Sequence, residues 1–318
     1  MKHKLSLLLM LLAVSGLSVM EVSAQGVKSH IGLSIEGGIS HLFLGKNLSP
    51  NGYTTPRLGY GGGAALFYEL EYNHFIFRTG FGVDYTINNS QLTPHDYAVQ
   101  IAEYPTMQYR YSFLSFSEKT HYGVGYVPVL FGANFSRVFF LVGAKIGVLP
   151  FYSKTQCAAN VRIWAIDEDV IDPMEGLYTH YMGEHQLSNA MNLKLNQLNI
   201  MGSFEVGINL DGDGLSGQPL GKGAYYYGTS DKNKSSRGSM HYRLSIFADY
   251  GLSNMLPAKR PELDMVQFNG LTDITLQSMY YYAPHKGAVM HNCLVGIKFT
   301  MQYEMPKIDK SSCHCLKK

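Results

Sequence analysis

The sequence predicts an all-β protein: a transmembrane antiparallel up-and-down β-barrel of eight strands, with ten strands as the alternative count. Apolar residues alternate with small or polar residues over segments of about 10–14 residues, which is longer than the strands of most soluble proteins. Aromatic residues often end the apolar face, as they do where a barrel meets the membrane surface. An export signal precedes these segments, and no later apolar run reaches the roughly 18 residues of a spanning helix.

The composition excludes two broad classes of protein. The chain has 318 residues, of which 46% are hydrophobic and 16% are charged. This apolar content is too high for a disordered chain, and the charged fraction is below the average of about 25%. The formal net charge of +2 gives no basic surface for nucleic acid. We therefore expect a folded protein that does not bind nucleic acid.

Residues 1–24 have the layout of a Sec signal peptide. A positive start at Lys2 and Lys4 precedes the apolar run Leu5–Val14, and compact residues follow at Val22 and Ala24. The run is too short to span a membrane comfortably, which disfavours the alternative of an N-terminal anchor. We predict cleavage after Ala24, a barrel over residues 25–304 and a periplasmic tail over residues 305–318.

The segment Phe75–Ile87 shows the alternation most clearly. Phe77 and Phe81 lie on one face, whereas Arg78 and Asp84 lie on the other. A period of two indicates a strand with unlike faces and not a helix. The eight predicted strands are Ile31–Ile39, Tyr60–Leu70, Phe75–Ile87, His121–Ala133, Val138–Val148, Leu198–Asn209, Tyr242–Tyr250 and Val289–Tyr303. Pro128 makes the fourth the least regular.

A secreted β-sandwich also alternates, and it is the main competing fold. Its strands average about 5–6 residues, whereas a membrane-spanning strand needs roughly 9–11. The charge and glycine on the second face suit a narrow polar lumen better than a solvent-exposed sheet surface. These differences favour the barrel.

The links between strands differ in length and thereby predict the orientation. Glu71–His74 and Asn134–Ser136 are tight turns. Outer-membrane barrels have short periplasmic turns and long outer loops, so both termini and the tight turns are predicted in the periplasm. The link Asp211–Ser239 is long although this count places it on the periplasmic side. Tyr109–Phe116 and Val161–Ile166 look extended, either as outer parts of strands or as a further pair. The predicted outer links are His41–Gly59, Asn88–Thr120, Phe151–Leu195 and Ser253–Gly287.

The strand motifs GYGGGAALFYELEY and FIFRTGFGVDY, and the last strand CLVGIKFTMQYEM, resemble the outer-membrane β-barrel family of Bacteroidota, the PorT-like group of small OmpA-type barrels. The resemblance covers most of the mature chain. It implies location in the outer membrane, contact with its lipid, and insertion by the barrel-assembly machinery. It also implies that Phe299 and Tyr303 serve as the assembly signal. The tail after Met305 departs from barrels that stop at the last aromatic residue.

Nine charged residues fall on the predicted inner face, and their charges nearly balance. Unpaired buried charge is very costly, so these groups must pair within a lumen that side chains fill. The functional alternative is an ion pathway, but mixed signs do not form a selective ring. The predicted lumen network comprises Glu36, Glu69, Arg78, Asp84, Lys145, Glu205, Arg243, Asp249 and Lys298.

No cofactor or metal site is predicted. Cys157 and Cys293 are poorly placed to pair, and Cys313-His314-Cys315 lacks a fourth metal ligand. Asp211–Gly214 superficially resembles a calcium loop, but the later acidic ligands are missing. We interpret the cysteine segment as a mobile tail with either two periplasmic thiols or a strained local bridge, and Asp211–Gly214 as a turn.

We expect a barrel that is not an enzyme, with a structural or interaction role at the surface or within an envelope or secretion assembly. The aromatic residues of the outer links suit binding, although they would equally extend girdles and pack loops. These residues are Tyr104, Tyr109, Tyr111, Phe113, Phe116, Tyr178, Tyr181 and Tyr280–Tyr282. The alternative is a lipid-modifying barrel enzyme, which would need a Ser/His/acid cluster at the outer rim. His291 is the candidate histidine for such a cluster at the outer rim, but its own strand has no serine on the same face.

Overall fold

The computed structural model describes residues 27–44, 54–92, 96–100, 107–135, 137–172, 176–210, 239–257, 263–268, 273–281 and 289–305. The predicted signal 1–24, the Asp211–Gly214 turn and the Cys313-His314-Cys315 tail lie outside these residues. Within the described part, no helix is long and apolar enough to cross a membrane.

Twelve strands and one 3₁₀ turn, Met279–Tyr281, make up the described fold. The long alternating segments of the sequence form the long strands. In chain order the strands are β1 Val27–Leu44, β2 Thr54–Tyr72, β3 Phe75–Leu92, β4 Asp96–Gln100, β5 Met107–Phe135, β6 Val138–Asp172, β7 Gly176–Asn192, β8 Asn199–Asn209, β9 Met240–Gly251, β10 Val266–Phe268, β11 Ile274–Leu276 and β12 Met290–Glu304.

Eight of these strands close into a ring. The antiparallel order is β1-β2-β3-β5-β6-β8-β9-β12, and β12 pairs back with β1 from His30↔Glu304 to Leu44↔Met290. Closure leaves the ring without a free edge. The prediction of an eight-stranded antiparallel barrel is confirmed, and β5 keeps Pro128 within its pairing with β6.

The two faces of the barrel wall differ sharply. On β9, Leu244 and Ile246 are 40% and 61% exposed on the outside, whereas Arg243 and Ser245 are 2% and 3% exposed on the inside. The other ring strands follow the same pattern, because side chains alternate between the two faces of a strand. The outer wall is therefore apolar and the lumen polar, as a membrane barrel requires.

The barrel has two unlike ends. The terminal rim contains the first and last strand ends, Val27 and Glu304, and the tight turns after Tyr72 and Phe135. Asn73 occupies the first turn with a φ of 54°. β8 also ends at this rim and β9 begins there, so the long link 211–238 joins strands on the side of the tight turns. We call the opposite end the distal rim.

Past the distal rim, β5 and β6 continue as a long pair. β4 adds to β5, and β7 adds to β6, which gives a four-stranded distal sheet outside the ring. Tyr109–Phe116 and Val161–Ile166 are thus outer parts of ring strands and not a fifth hairpin of the barrel. The predicted links Asn88–Thr120 and Phe151–Leu195 were placed wrongly, because most of their described residues continue or extend the sheet.

The distal sheet has its own apolar core. One face packs against the segment that joins β9 to β12, which includes the small β10–β11 hairpin and the 3₁₀ turn. The described residues of the predicted link Ser253–Gly287 thus form part of this core, and burying their apolar side chains stabilises the packing. The buried members from that segment are Met255, Leu256, Met265, Val266, Leu276, Met279, Tyr280 and Tyr281.

Candidate functional site

The distal half of the lumen is centred on Lys145 of β6. Its Nζ lies 2.6 Å from Asp249 and 3.4 Å from Asp84, and it also contacts Glu36. These carboxylates come from β9, β3 and β1, so one ammonium joins four strands across the bore. The side chain of Lys145 is 1% exposed. Three carboxylates in this arrangement could hold a metal ion, and the lysine ammonium occupies their centre as the cation.

The half of the lumen nearer the terminal rim is centred on two arginines. Arg78 contacts Glu69 at 2.8 Å and Glu205 at 3.3 Å, and Arg243 contacts the other oxygen of Glu69 at 2.8 Å. Lys298 connects the two halves, because its Nζ lies 2.7 Å from Glu36 and 3.2 Å from Glu205. Charge-assisted contacts of this length are strong when they are shielded from water.

The structure brings all nine predicted lumen residues into this one connected network. Each of the nine is at most 5% exposed. Buried aromatic rings fill the space between the charged groups: Arg78 lies 4.4 Å from the centre of Phe67, Arg243 4.8 Å from Phe139, and Lys145 4.5 Å from Tyr126. The lumen is therefore occupied by cross-linked side chains, and the described residues form no ring of a single charge sign there.

A second titratable cluster lies inside the terminal rim. His30 of β1, His241 of β9 and Glu304 of β12 offer ligand atoms within 4.8 Å of one another. His241 Nε2 lies 3.3 Å from Glu304 Oε2 and 2.7 Å from Ser239 Oγ. Histidine and carboxylate are zinc ligands, so this set could hold a metal ion. It does not form a hydrolytic triad, because the hydroxyl and the acid share one nitrogen.

Glu118 of β5 is a buried acid that the sequence analysis missed. Its Oε1 accepts hydrogen bonds from the hydroxyls of Thr155 and Ser278 at 2.6 Å, and its Oε2 accepts one from the Met279 amide at 3.0 Å. Burial raises the pKa of its carboxyl, and the three donors partly oppose that rise. The signal was the alternation of Phe116, Glu118 and Thr120 on one face within a segment that was interpreted as a link. Glu118 fastens the 3₁₀ turn to the distal sheet.

The remaining predicted residues lie apart from the network. Phe299 and Tyr303 face outward on β12 and are 43% and 41% exposed. Cys157 is buried in the distal sheet and Cys293 is half-buried, and both are free thiols. Burial raises the pKa of Cys157, which makes it a poor nucleophile. His291 stacks on Tyr250 at the distal rim, with 5.9 Å between ring centres.

No known protein family and no curated protein matches the sequence. Three solved structures show likeness at 8% identity. Ail, the attachment invasion locus protein of Yersinia pestis, aligns over 86% of this chain and 99% of its own, with a TM-score of 0.22. The outer membrane protease OmpT of Escherichia coli aligns over 89% and 98%, with a TM-score of 0.27. A mutant of the monoaromatic hydrocarbon channel TodX aligns over 90% and 91%, with a TM-score of 0.16. At such scores the barrel assignment rests on the strand pairing described above.

Proposed function

We propose that this protein is an outer-membrane barrel with a plugged lumen, which holds the distal sheet at the cell surface for a structural or interaction role. The observation on which the proposal depends is the connected ion-pair network, because it fills the bore with charges of both signs. A selective pore needs a ring of one sign or an open bore. The lumen is thus better suited to holding the barrel rigid than to transport.

We infer the location of the barrel and its orientation in the membrane from the sequence together with the apolar outer wall. The apolar outer wall requires lipid, and the signal-like residues 1–24 indicate export. We place the terminal rim in the periplasm because the tight turns lie there. The distal sheet, with its own apolar core, then extends outside the cell, where envelope proteins are the partners expected.

We further infer from the strand motifs that the chain belongs to the PorT-like group of Bacteroidota. The aromatic residues Phe299 and Tyr303 of the last strand would then be read by the barrel-assembly machinery. Both side chains face outward on β12, where they are accessible before the barrel enters the membrane. A component role in a secretion assembly is one form of the interaction role proposed here.

The alternative of a lipid-modifying enzyme has less support. Ser239, His241 and Glu304 meet at the terminal rim, which this orientation places away from the outer leaflet. Their shared nitrogen also prevents the relay that activates a serine. We therefore propose a protein without catalytic activity.

Cell-surface labelling of cysteine variants tests this proposal. In a cysteine-free background, Arg110→Cys introduces a thiol in the distal sheet, and Arg137→Cys introduces one in a tight turn of the terminal rim; both positions are exposed. A membrane-impermeant maleimide should label Arg110→Cys on intact cells, but Arg137→Cys only after permeabilisation. The protein should also fractionate with outer membranes and migrate faster in gels when unboiled. Recovery as a soluble protein, or the reverse labelling, contradicts the proposal.

A further inference from the structure

A row of five outward-facing side chains, four of them polar, crosses the outer wall just past the distal rim. Arg57, Asn89, Lys119, Gln156 and Ala190 are successive register partners on β2, β3, β5, β6 and β7. Neighbouring strands are about 4.8 Å apart, so the row extends across five strands. These residues face outward, on the side opposite the buried face of Glu118.

An aromatic girdle lies directly below this row. The hydroxyl of Tyr85 lies 2.8 Å from His121 Nδ1, and Tyr152 packs against both rings. Tyrosine in such a band marks the boundary between hydrocarbon and headgroups. Lys119 is two residues past His121 on the same face of β5, which is about 7 Å farther along the strand and, at a strand tilt of about 40°, about 5 Å farther from the hydrocarbon. Lys119 therefore lies at the depth of lipid headgroups, together with its register partners Asn89 and Gln156 on the two neighbouring strands.

The row lines a cavity of about 870 Å³. A second row, Gln91, Ser117, Ala158 and Ser188, forms its far side and adds hydrogen-bonding groups. Glu118 also borders the cavity, but its side chain is turned to the inner face, where Thr155, Ser278 and the Met279 amide occupy its oxygens.

The described residues provide no acidic partner for the cations at and beside this cavity, of which Arg57 and Lys119 belong to its lining and Lys154 lies just outside it. Within the described residues, no carboxylate lies at ion-pair distance from Arg57, Lys119 or Lys154, the last being the register partner of His121. Farther along β6, by contrast, Arg162 contacts Glu184 at 2.8 Å. Three cations without a carboxylate partner among the described residues, beside amide and hydroxyl donors, match the chemistry of a phosphate group.

We propose that this cavity binds the phosphate of an anionic membrane lipid, whose acyl chains lie on the apolar wall below the aromatic girdle. This inference rests on the proposed membrane location. Arg57 and Lys119 supply charge from the lining of the cavity, Lys154 supplies it from just outside the lining, and Asn89 and Gln156 complete the hydrogen bonds. A lipid in this position would fix the distal sheet relative to the membrane surface.

Native mass spectrometry of the full chain in neutral detergent tests the proposal. Dioleoyl phosphatidic acid is the probe, dioleoyl phosphatidylcholine is the neutral comparison, and inorganic phosphate is the headgroup without chains. We expect the wild type to retain phosphatidic acid selectively. Lys119→Gln and Lys154→Gln should each weaken retention about fivefold, since one cation near an anionic lipid contributes about that factor. Arg110→Gln, an exposed cation on β5 outside the cavity, is the matched control and should change nothing.

Three results would overturn the assignment: unchanged retention in Lys119→Gln and Lys154→Gln, an equal loss in Arg110→Gln, or binding of inorganic phosphate as tight as that of the lipid. The gel shift of unboiled samples shows that each variant is folded. If the protein fractionates outside the outer membrane yet keeps the lipid preference, the proposed location fails and the lipid site stands.

Discussion

Replacing Lys145 by methionine tests the energetic role of the lumen network. Methionine has a similar length and fills the same space, so the change removes the charge without opening a large cavity. Glu36 would retain Lys298, whereas Asp84 and Asp249 would lose the ammonium that each contacts. Breaking a buried ion pair from one side costs about 3–5 kcal/mol. We expect a loss of that size in the free energy of unfolding.

Urea unfolding of the protein folded into phospholipid vesicles, followed by the gel shift of unboiled samples, measures this loss. Lys28→Met removes an exposed lysine from β1 and should change the free energy by less than about 0.5 kcal/mol. Adding Asp249→Asn to Lys145→Met should restore part of the stability, because the uncompensated carboxylate is then neutral. If Lys145→Met unfolds within about 0.5 kcal/mol of the wild type, the lumen is hydrated and the reasoning fails.

Three further predictions follow from the wall, a close strand contact and the distal sheet. In a cysteine-free background, Ile246→Cys should react with a lipid-soluble thiol reagent and Ser245→Cys should not, because the first faces hydrocarbon and the second the lumen; opposite labelling contradicts the face assignment. Gly296→Ala should lower the free energy of unfolding in urea by about 1–3 kcal/mol, because the Cβ of the new alanine would lie 2.0 Å from backbone of β1. The same change at Gly202 should be tolerated, because the nearest atoms there belong to a side chain and lie 3.6 Å away. Burial raises the pKa of Glu118, so the folded protein favours the protonated carboxyl. The contribution of this group to stability is therefore greatest below the ordinary carboxyl pKa and is lost as pH rises through the raised pKa. Proteolysis of the distal sheet should therefore quicken as pH rises above the ordinary carboxyl range in the wild type but not in Glu118→Gln, and equal pH dependence in both would assign it to another group.

The ring was predictable because one physical rule acts on each of its strands. Lipid outside and a narrow lumen inside force opposite faces, so Leu244 and Arg243 could be assigned from parity alone. The same parity placed nine charged residues inside. It could not give their partners, since Lys145 meets Glu36 from a strand more than a hundred residues earlier in the chain.

The distal sheet was not predictable in the same way. β5 changes register between Phe113 and Ser115, so the buried face shifts by one residue there and the alternation breaks. The partners of this face come from a segment far along the chain, including Met279 and Tyr280. Glu118 was missed for the same reason, because its donors Ser278 and Met279 lie about 160 residues away.

Single-channel recording in planar lipid bilayers tests most directly the claim that the lumen is plugged. The lumen network pairs four cationic side chains with five carboxylates: Lys145, Lys298, Arg78 and Arg243 are the cations. Because these pairs fill the bore, they leave no continuous route for ions that is lined by charges of one sign. The wild-type protein, inserted in folded form, should therefore give no steady conductance above that of the bare bilayer. Large, steady conductance steps from the wild type would contradict the account.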